Sequence, residues 1–345
     1  MLQKIFILLL VIGVALATIA NAQDDFMLSR KEAIISVERI WERATHNAFT
    51  DLIYHHPYFY CCFREGSGHI PGIDGSVRVL CSADGQNWKS VTHFYKKNVD
   101  LRDPKLSVTP KGDIMVLMGG SVYQGGDCIK RSSWVSFSGD AGKTFSPLYN
   151  VEIDQSIRSN NDWLWRVTWH EGVGYGVVYQ GQTDSLAIHL LQTKNGISYS
   201  AVTTWNLSGR PNETTLQFDS SGNMIALVRR EGGNRHGMIG KSSFPYTEWT
   251  WHELAFPLGG PDFVMLDDSS AVCGTRDYRF EKTRTILARI LPGAVFRPLF
   301  ALPSAGDTSY PGMVIKDDVL YVSYYSSHEQ KTAVYFAKIR LDAIK

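Results

Sequence analysis

The chain has 345 residues, and 44% of them are hydrophobic, which is enough apolar material for a complete buried core. Its 35 basic and 34 acidic residues give a formal net charge of +1. This balance argues against a nucleic-acid-binding protein, because such a surface requires an excess of basic residues.

The N-terminal residues 1–22 are predicted to be an export signal. Lys4 precedes the apolar run Ile5–Ala17, and Ala20–Ala22 offers a cleavage site of the A-x-A type. The apolar run is too short to predict a membrane span. We therefore expect a secreted or periplasmic mature chain without a membrane span, in which residues 23–345 form a single domain.

Residues 29–45 are predicted to form a short helix that leads into the domain. Ser29 is a suitable N-cap, and Glu32 follows three residues later, a spacing typical of a helix start. The helix would pack on the side of the domain through one apolar face. Four residues would share this face: Ile35, Val37, Ile40 and Trp41.

A turn motif with the pattern S-x-D-x-G-x-T-[FWY] occurs at Ser138–Phe145 and returns three more times in degenerate form. Asp140 can accept hydrogen bonds from the backbone of its own turn, and Gly142 supplies the positive φ that the turn needs. Isolated Asp-Gly and Asn-Gly turns are common in β proteins, but a regular series with closing aromatic residues is not. A period near 50 residues, rich in short strands, predicts a β-propeller. The four copies begin, at intervals of 56, 55 and 49 residues, at Ser82, Ser138, Thr193 and Ser242.

Each repeat is predicted to contain about four strands, as residues 214–254 illustrate. Thr214–Phe218 alternates in polarity, Asp219–Asn223 suits a turn, and Met224–Val228 is continuously apolar like a buried strand. Six such units fit the chain, so the sequence predicts an all-β, six-bladed β-propeller. The inner strands are expected to begin near six residues, one in each blade: Asp51, Asp103, Arg166, Glu213, Asp262 and Tyr310.

Polar side chains at the starts of the inner strands are candidates for a ligand site. These strands begin around one central mouth, so the six residues should converge although they are far apart in the sequence. Charged groups around a narrow channel repel one another or need partners, which favours a polar ligand. A second ring is expected from the ends of the next strands: Arg64, Glu65, His69, Arg229, Arg230, Arg276, Tyr325 and His328.

Several of these candidates also have a purely structural interpretation. Arg102 and Asp103 could bind substrate at the mouth, or they could brace a blade as an ion pair. Trp165 could stack on a sugar ring, whereas aromatic residues that alternate along a strand ordinarily pack in a core. The candidates for substrate binding on the basis of position are Asp51, Arg102, Asp103, Trp165, Arg166, Asp262 and His328.

The turn motif and several segments resemble the sialidase (neuraminidase) superfamily, whose six-bladed propellers carry Asp-box, or BNR, repeats. Glu213 precedes Arg229 by 16 residues, the interval at which sialidases have a catalytic Glu and a carboxylate-binding Arg. Thr308–Met313 resembles the strand that bears the family's nucleophilic Tyr, here Tyr310. Gly274–Arg276 lies in the blade between them, where the family has another Arg.

Two segments depart from the family pattern. Sialidases open blade 1 with an F/Y-R-I-P run whose Arg grips the substrate carboxylate, whereas Asn47–Asp51 contains no Arg and Arg64 is the candidate replacement. Asp74 and Gly75 resemble the loop that carries the family's Asp acid/base, but this loop is short and contains His69. The acid/base stays open between Asp74 and His69. The substrate stays open between sialic acid and a related acidic or neutral sugar.

The resemblance implies hydrolysis with Tyr310 as the nucleophile and Glu213 as the base that takes its proton. A sugar with a carboxylate at its anomeric carbon reacts through an oxocarbenium-like state and would repel a carboxylate nucleophile, which a neutral Tyr avoids. Arg64, Arg229 and Arg276 would bind the substrate carboxylate through planar guanidinium groups. We therefore expect an exported exo-glycosidase that cleaves a terminal acidic sugar with retention.

Two other functions stay open on the sequence alone. One is a different glycosidase or a polysaccharide lyase that uses the same face, and the other is a non-catalytic propeller that binds glycan or protein. A glycan is the expected partner, the chain is expected to be a monomer, and no cofactor or metal site is predicted. The cysteines show no zinc-like spacing, and their odd number leaves at least one either free or paired between chains. Buried thiols are the favoured interpretation for most of the five: Cys61, Cys62, Cys81, Cys128 and Cys273.

Overall fold

Short antiparallel strands build the whole domain in a computed structural model that describes residues 31–70, 75–180 and 188–345. The described residues form 24 strands and two short 3-10 turns, at Lys31–Ala33 and Pro292–Ala294. The strands group into four four-stranded sheets and one eight-stranded sheet, in which a single parallel pair between His46 and Thr332 joins the first blade to the last. This arrangement confirms the predicted six-bladed β-propeller. No helix in the described ranges is long and apolar enough to cross a membrane.

Blades 1 to 3 follow the chain from the innermost to the outermost strand. Blade 1 consists of β2 (His46–His55), β3 (Tyr58–Gly66), β4 (Ser76–Ser82) and β5 (Lys89–Phe94). Blade 2 consists of β6 (Asp100–Val108), β7 (Ile114–Gln124), β8 (Asp127–Ser138) and β9 (Tyr149–Asn150). Blade 3 consists of β10 (Trp163–His170), β11 (Val173–Tyr179), β12 (Ile188–Thr193) and β13 (Ser200–Trp205).

Blades 4 and 5 repeat this order, and blade 6 borrows its outer strand from the start of the described chain. Blade 4 consists of β14 (Pro211–Phe218), β15 (Met224–Arg230), β16 (His236–Ser242) and β17 (Thr250–Pro257). Blade 5 consists of β18 (Asp262–Met265), β19 (Ala271–Asp277), β20 (Arg284–Leu291) and β21 (Val295–Ala301). Blade 6 consists of β22 (Thr308–Lys316), β23 (Val319–Glu329), β24 (Lys331–Arg340) and β1 (Ile34–Trp41).

The predicted N-terminal helix over residues 29–45 is wrong where the structure describes it. Residues 34–41 form β1, which pairs antiparallel with β24 and completes blade 6. The segment is rich in β-branched residues, and β24 offers an unpaired edge whose hydrogen bonds a strand can satisfy. Trp41, at the end of β1, packs 5.8 Å from the ring of Phe63 in blade 1. Residues 1–22 lie outside the described residues, so the export signal stays a prediction.

Apolar clusters fill the space between neighbouring blades and hold the ring together. Between blades 4 and 5, for example, Leu227, Phe263 and Ile286 belong to one buried cluster. Similar clusters lie at the other blade junctions, including the junction between blades 6 and 1. Each blade is therefore covered on both faces, which explains the continuously apolar middle strands.

The four segments with the turn motif connect the third and fourth strands of blades 1 to 4. In blade 1 the Ser82 hydroxyl donates to Asp84 over 2.9 Å and accepts from the Gly85 amide over 2.9 Å. In blade 2, Asp140 accepts a hydrogen bond of 2.9 Å from the Thr144 amide. These local bonds satisfy the turn backbone at the position that the repeat predicts.

All five cysteines are free thiols. Cys61, Cys62 and Cys273 are buried, while Cys81 and Cys128 are partly buried. Cys62 and Cys81 lie on the adjacent strands β3 and β4 without a bond between them. Small apolar packing, as expected from the sequence, accounts for the buried three.

The innermost strand carries one extra residue near its start in five of the six blades. The pairing register shifts between Ala48 and Asp51 in β2, and equivalent shifts occur in β6, β10, β14 and β22. Asp103 and Tyr310 within these bulges have φ of 48° and 50°. A bulge re-aims the side chain next to it, so these irregularities turn polar residues towards the centre of the ring.

Candidate active site

A cavity of 540 Å³ lies among the starts of the inner strands. Its wall includes residues from blades 1, 2, 3, 4 and 6. A larger cavity of 830 Å³ lies between blades 4 and 5, around Ile225 and Phe263, and contains none of the predicted site residues. The smaller cavity is therefore the candidate active site. Six predicted residues line it: His69, Arg102, Asp103, Glu213, Arg229 and Tyr310.

Tyr310, Glu213 and Arg229 form a closed set of hydrogen bonds at this cavity. The Tyr310 hydroxyl donates to Glu213 Oε1 over 2.7 Å. Arg229 Nη1 donates to Glu213 Oε2 over 2.7 Å and to the Tyr310 hydroxyl over 3.1 Å. The second guanidinium nitrogen, Arg229 Nη2, forms an ion pair with Glu231. A phenol, a carboxylate and a guanidinium group that are far apart in the chain are thus brought together.

The electrostatics of this set favour a neutral phenol beside a permanent cation. Burial and the charge of Glu213 raise the pKa of Tyr310 well above its ordinary value. Burial alone would lower the pKa of Arg229, but the nearby Glu213 charge outweighs it, so the guanidinium stays protonated. The phenol therefore holds its proton at neutral pH and points it at a carboxylate that can accept it.

Tyr310 is held in place through both its backbone and its ring. Its carbonyl oxygen accepts a 2.6 Å hydrogen bond from the Thr50 hydroxyl of blade 1. Phe49 and Trp165 pack with ring centroids 5.1 Å and 5.8 Å from the Tyr310 ring. A Cβ at Gly260, whose φ is +57°, would come within 2.6 Å of the same ring. Trp165 is only 1% exposed, so its predicted role in stacking on a sugar is wrong, and it supports Tyr310 from the core.

Three buried charged residues, Asp51, Lys105 and Asp262, lie around the partly buried Arg166 and link the inner strands of four blades. Arg166 Nη1 is 2.8 Å from Asp51 Oδ1, and Arg166 Nη2 is 3.4 Å from Asp262 Oδ2. Asp51 also accepts the backbone amide of Leu106 over 2.7 Å. Burial lowers the pKa of the neighbouring Lys105 and raises that of Asp262 to about 6.

This network corrects three of the predicted substrate contacts. Asp51, Arg166 and Asp262 do not line the cavity, and their charges are satisfied by one another. The sequence predicts them at the mouth because inner strands start there, whereas their side chains pair with one another instead of lining the cavity. They join the inner strands of blades 1, 3 and 5.

The predicted guanidinium cluster is only partly present at the cavity. Arg64 is fully buried, donates to Asp100 over 2.7 Å and to the Gly68 carbonyl over 2.8 Å, and does not line the cavity. Its predicted role as a substitute for the family's blade 1 Arg is therefore wrong. Arg276 lies behind Tyr310, with its guanidinium carbon 5.8 Å from the ring centroid, and donates to the Tyr325 hydroxyl over 3.0 Å.

Arg102 and Asp103 are at the mouth as predicted, and they are also paired with each other. Arg102 Nε is 3.3 Å from Asp103 Oδ2, and Arg102 Nη1 is 3.6 Å from Asp100 Oδ2. The guanidinium carbon of Arg102 lies 4.9 Å from the Phe49 ring centroid. Both alternatives from the sequence, a mouth position and an internal ion pair, are therefore present together.

His69 lines the cavity and belongs to a hydrogen-bonded cluster that joins blades 1 and 6. Its Nδ1 is 2.8 Å from Asp307 Oδ2, and His46 Nε2 is 2.8 Å from the same oxygen. The Tyr325 hydroxyl donates to Asp307 Oδ1 over 2.8 Å. Burial alone would raise the pKa of Asp307, but the hydrogen bonds from the two histidines and Tyr325 hold it well below its ordinary value. Asp307 therefore stays ionised and orients His69.

The same cluster is the one group of described residues with ligands suited to a metal ion. The ligand atoms of His46, His69 and Asp307 all lie within 4.8 Å of one another. Two imidazoles and a carboxylate suit a divalent transition metal. One nitrogen of each imidazole already bonds to Asp307, while the buried His46 Nδ1 has no hydrogen-bond partner among the described residues.

Two remaining candidates do not contribute to the described cavity. Asp74 lies outside the described residues, so its role as acid/base stays a prediction. His328 lies at the outer edge of blade 6, where it shares a separate pocket with Val37 and Arg39 of β1, and its Nδ1 is 2.9 Å from the Ser326 hydroxyl. His328 does not line the candidate active site, so the structure does not bring it to the predicted contact with substrate.

Sequence reasoning missed the wall that blade 2 contributes. Strands β7 and β8 extend past the sheet as a long hairpin, and Tyr123, Asp127 and Arg131 of this hairpin line the cavity. The Gly125–Gly126 turn between two strand-like runs was the available signal. The sequence also did not predict Asp307 and Glu231, because no motif in the residues around them indicates a functional site.

No protein-family model matches the chain, and no curated protein matches it either. Solved structures do match. A Dyadobacter fermentans protein of unknown function has a TM-score of 0.73 and 16% identity over 89% of this chain and 98% of its own. Trypanosoma rangeli sialidase in complex with sialic acid has a TM-score of 0.66 and 13% identity over 89% of this chain. This chain spans 57% of that sialidase's length.

A third similar structure carries a different activity on the same architecture. The α-L-arabinofuranosidase Arb93A from Fusarium graminearum, in complex with an iminosugar inhibitor, has a TM-score of 0.63 and 14% identity. The match covers 90% of this chain and 99% of that enzyme. At these identities the similarity shows the fold, and the chemistry has to be argued from the cavity itself.

Proposed function

We propose that this protein is a sialidase-like exo-glycosidase that hydrolyses a terminal acidic sugar through Tyr310. The observation that carries the proposal is the 2.7 Å hydrogen bond from the Tyr310 hydroxyl to Glu213, in a cavity large enough for a sugar. A phenol paired with a carboxylate is the alternative to the two-carboxylate scheme of most glycosidases. The similarity in fold to a sialidase and an arabinofuranosidase supports the glycosidase class.

The proposed reaction has two steps at the anomeric carbon. Glu213 takes the phenolic proton while the Tyr310 oxygen attacks, and the leaving oxygen receives a proton from an acid as its bond to the anomeric carbon breaks. His69, oriented by Asp307, is the proposed acid, and Asp74 remains the alternative. In the second step a water molecule loses a proton to the deprotonated acid and attacks the anomeric carbon. The bond to Tyr310 breaks, and Glu213 returns the proton to the phenolic oxygen, so the product keeps the configuration of the substrate.

Arg229 supports both steps by electrostatics. Its Nη1 contacts the carboxylate that becomes protonated and the phenolic oxygen that becomes bonded to the sugar. A fixed cation at this point stabilises phenolate character as the proton leaves. The three-Arg grip of sialidases is not the basis of the proposal, because Arg64 and Arg276 make other contacts. Guanidinium groups of Arg102, Arg131 and Arg229 line the cavity instead. They favour acidic sugars as the proposed substrate class, of which sialic acid is one member.

Turnover by the purified mature chain tests the proposal. The substrates are fluorogenic glycosides of sialic acid, of uronates and of 3-deoxy-2-ketulosonates, with an α-L-arabinofuranoside as the neutral comparison. We expect one acidic class to be cleaved, with the retained anomer as the first product by proton NMR. An inverted first product would contradict the Tyr310 mechanism. Binding of a glycan without turnover of any glycoside would favour the non-catalytic propeller.

The proposal includes export and a monomeric enzyme. Residues 1–22 have the pattern of a cleavable signal, and the expected mature N-terminus is near Gln23. N-terminal sequencing of protein recovered from the medium or periplasm tests cleavage. Light scattering coupled to size-exclusion chromatography tests the oligomeric state, and a dimer would contradict the monomer.

A further inference from the structure

The blade 2 hairpin forms one wall of the candidate active site. Strands β7 and β8 have 11 and 12 residues, whereas the described middle strands of blades 3, 4 and 5 have 6 to 8 residues. The additional length brings Tyr123, Asp127 and Arg131 to the cavity. An extended hairpin on a rigid scaffold is a common place for residues that choose a ligand.

Charge pairing distinguishes Arg131 from the other two guanidinium groups of the cavity. Arg102 is paired with Asp103, and Arg229 is paired with both Glu213 and Glu231. Among the residues that the structure describes, no carboxylate lies within 4.0 Å of the Arg131 guanidinium group. Arg131 therefore keeps the capacity to bind an anion, while the other two are already neutralised by the protein.

The position of Arg131 is fixed by its backbone and by the ring beside it. Its amide donates to the Asn160 carbonyl over 3.1 Å, and Arg131 pairs with Ser121 across the hairpin. The guanidinium carbon lies 5.7 Å from the Trp163 ring centroid, within the range of a cation–π contact. A Cβ at Gly119 would come within 2.2 Å of Trp163, so this glycine makes room for the ring.

We propose that Arg131, supported by Trp163, forms a subsite for the carboxylate of the sugar that the cavity binds. The ligand's identity as a sugar rests on the proposed function, whereas the anion subsite rests on the charges of the cavity. A planar guanidinium group matches a carboxylate through two parallel hydrogen bonds. Asp127 and Glu231 also line the cavity and would repel a dianion such as a phosphate more strongly than a single carboxylate.

Arg131 would supply from blade 2 the positive charge that Arg64 does not supply from blade 1. Arg64 is turned into the core, where Asp100 and the Gly68 carbonyl hold it. A carboxylate bound at Arg131 would lie on the blade 2 side of the cavity. The blade 2 hairpin would then select acidic over neutral sugars. This selection is separate from the bond cleavage that Tyr310 is proposed to carry out.

Calorimetric binding with matched acidic and neutral ligands tests the subsite. The probes are N-acetylneuraminate against its methyl ester, and glucuronate against glucose, titrated into the parent protein, Arg131→Gln and Arg131→Lys. Lys130→Gln is the control, because Lys130 is the exposed neighbour of Arg131 on β8 and does not line this cavity. Thermal melting checks that each variant is folded.

We expect Arg131→Gln to weaken binding of the better acidic ligand by about 10- to 100-fold, the effect of losing a charge-assisted pair. Its neutral counterpart should change by less than about two-fold, since it makes no ion pair. The affinity of Arg131→Lys for the acidic ligand should lie between those of the parent and Arg131→Gln. The positive charge remains in this variant, but the two parallel hydrogen bonds of a guanidinium group are lost. Lys130→Gln should bind all ligands as the parent does.

Two results would overturn the subsite. One is an equal loss for acidic and neutral ligands in Arg131→Gln, and the other is a parent protein that binds no acidic sugar more tightly than its neutral counterpart. The outcome is separable from that of the proposed function. Arg131-dependent binding without turnover would refute the hydrolase and keep the subsite, whereas turnover that ignores Arg131 would refute the subsite and keep the hydrolase.

Discussion

Replacing Tyr310 with Phe removes one oxygen from the centre of the proposed mechanism and leaves its surroundings intact. The Tyr310 hydroxyl donates to Glu213 and accepts from Arg229. In Tyr310→Phe, Glu213 still has the 2.7 Å hydrogen bond from Arg229, so no buried charge is left unpaired. The Phe ring can keep the aromatic packing that the Tyr310 ring makes with Phe49 and Trp165.

The magnitudes separate a catalytic effect from a structural one. Loss of the phenolic hydrogen bond should cost about 1.5–3 kcal/mol of unfolding free energy, the usual range for a bond to a charged group. Loss of the nucleophile should lower kcat by at least about 10³-fold, or about 4 kcal/mol of barrier at about 1.4 kcal/mol for each factor of ten. A folded variant that has lost activity is therefore expected, with binding of the sugar retained.

Tyr324→Phe is the matched control for this experiment. Tyr324 is a buried Tyr of β23 whose hydroxyl donates to the Pro303 carbonyl over 2.9 Å, away from the cavity. It should lose about 0.5–1.5 kcal/mol of unfolding free energy, the usual range for a bond to a neutral acceptor, and keep kcat within about two-fold of the parent. The assay is steady-state turnover of the best glycoside, with mass spectrometry of the protein after reaction with a fluorinated glycoside that slows the second step. Retention of more than a tenth of kcat in Tyr310→Phe, or sugar attached to a residue other than Tyr310, would refute the mechanism.

Three further outcomes are expected elsewhere in the molecule. His69→Gln should lower kcat by about 10²- to 10⁴-fold on glycosides with poor leaving groups and far less on 4-nitrophenyl glycosides, which need no proton; equal losses would exclude His69 as the acid. Burial raises the pKa of Asp262 from its ordinary value of 3.8 to about 6. The stability that this carboxyl contributes is therefore present below about pH 4 and is lost as the pH rises through 6. Asp262→Asn, which leaves Arg166 its other carboxylate, should flatten that part of the pH profile in urea unfolding, and an unchanged profile would contradict the assignment. Trp41→Ala should cost about 3–5 kcal/mol of unfolding free energy. The control Ile35→Ala, at an exposed position of the same strand, should cost less than about 0.5 kcal/mol. Similar costs for both variants would mean that β1 does not hold blade 6 closed.

The sequence predicts most securely those contacts that depend on local spacing. Glu213 and Arg229 lie on the hairpin of β14 and β15, where Pro211 pairs with Arg230, so a 16-residue interval brings them opposite each other. The repeat likewise predicts where each inner strand begins. Equivalent positions in successive repeats surround the central axis of a propeller. The repeat period therefore predicts that Tyr310 lies at the mouth.

Contacts that depend on distant partners could not be predicted in this way. Whether Arg64 faces the cavity or the core is decided by Asp100 of the next blade, which binds it over 2.7 Å. The segment 34–41 fits a helical face as well as a strand, and the free edge of β24 decides between them. The bulges that re-aim Asp103 and Tyr310 have no signature in a single sequence, because they are set by pairing with the neighbouring strand.

The seam between the first and last blades brings the proposed acid and nucleophile together, while Glu213 and Arg229 reach Tyr310 from blade 4. His69 of blade 1 meets Asp307 of blade 6 across 238 positions of sequence, and Thr50 binds the Tyr310 carbonyl across 260. Strand β1 completes blade 6 at this seam, and the Trp41 indole donates to Glu65 of blade 1 over 2.6 Å. An opened seam would separate the acid from the nucleophile before the inner strands of the other blades unfold. Activity should therefore be lost when the ring opens. This loss should occur at lower urea concentrations than the unfolding of most of the strands.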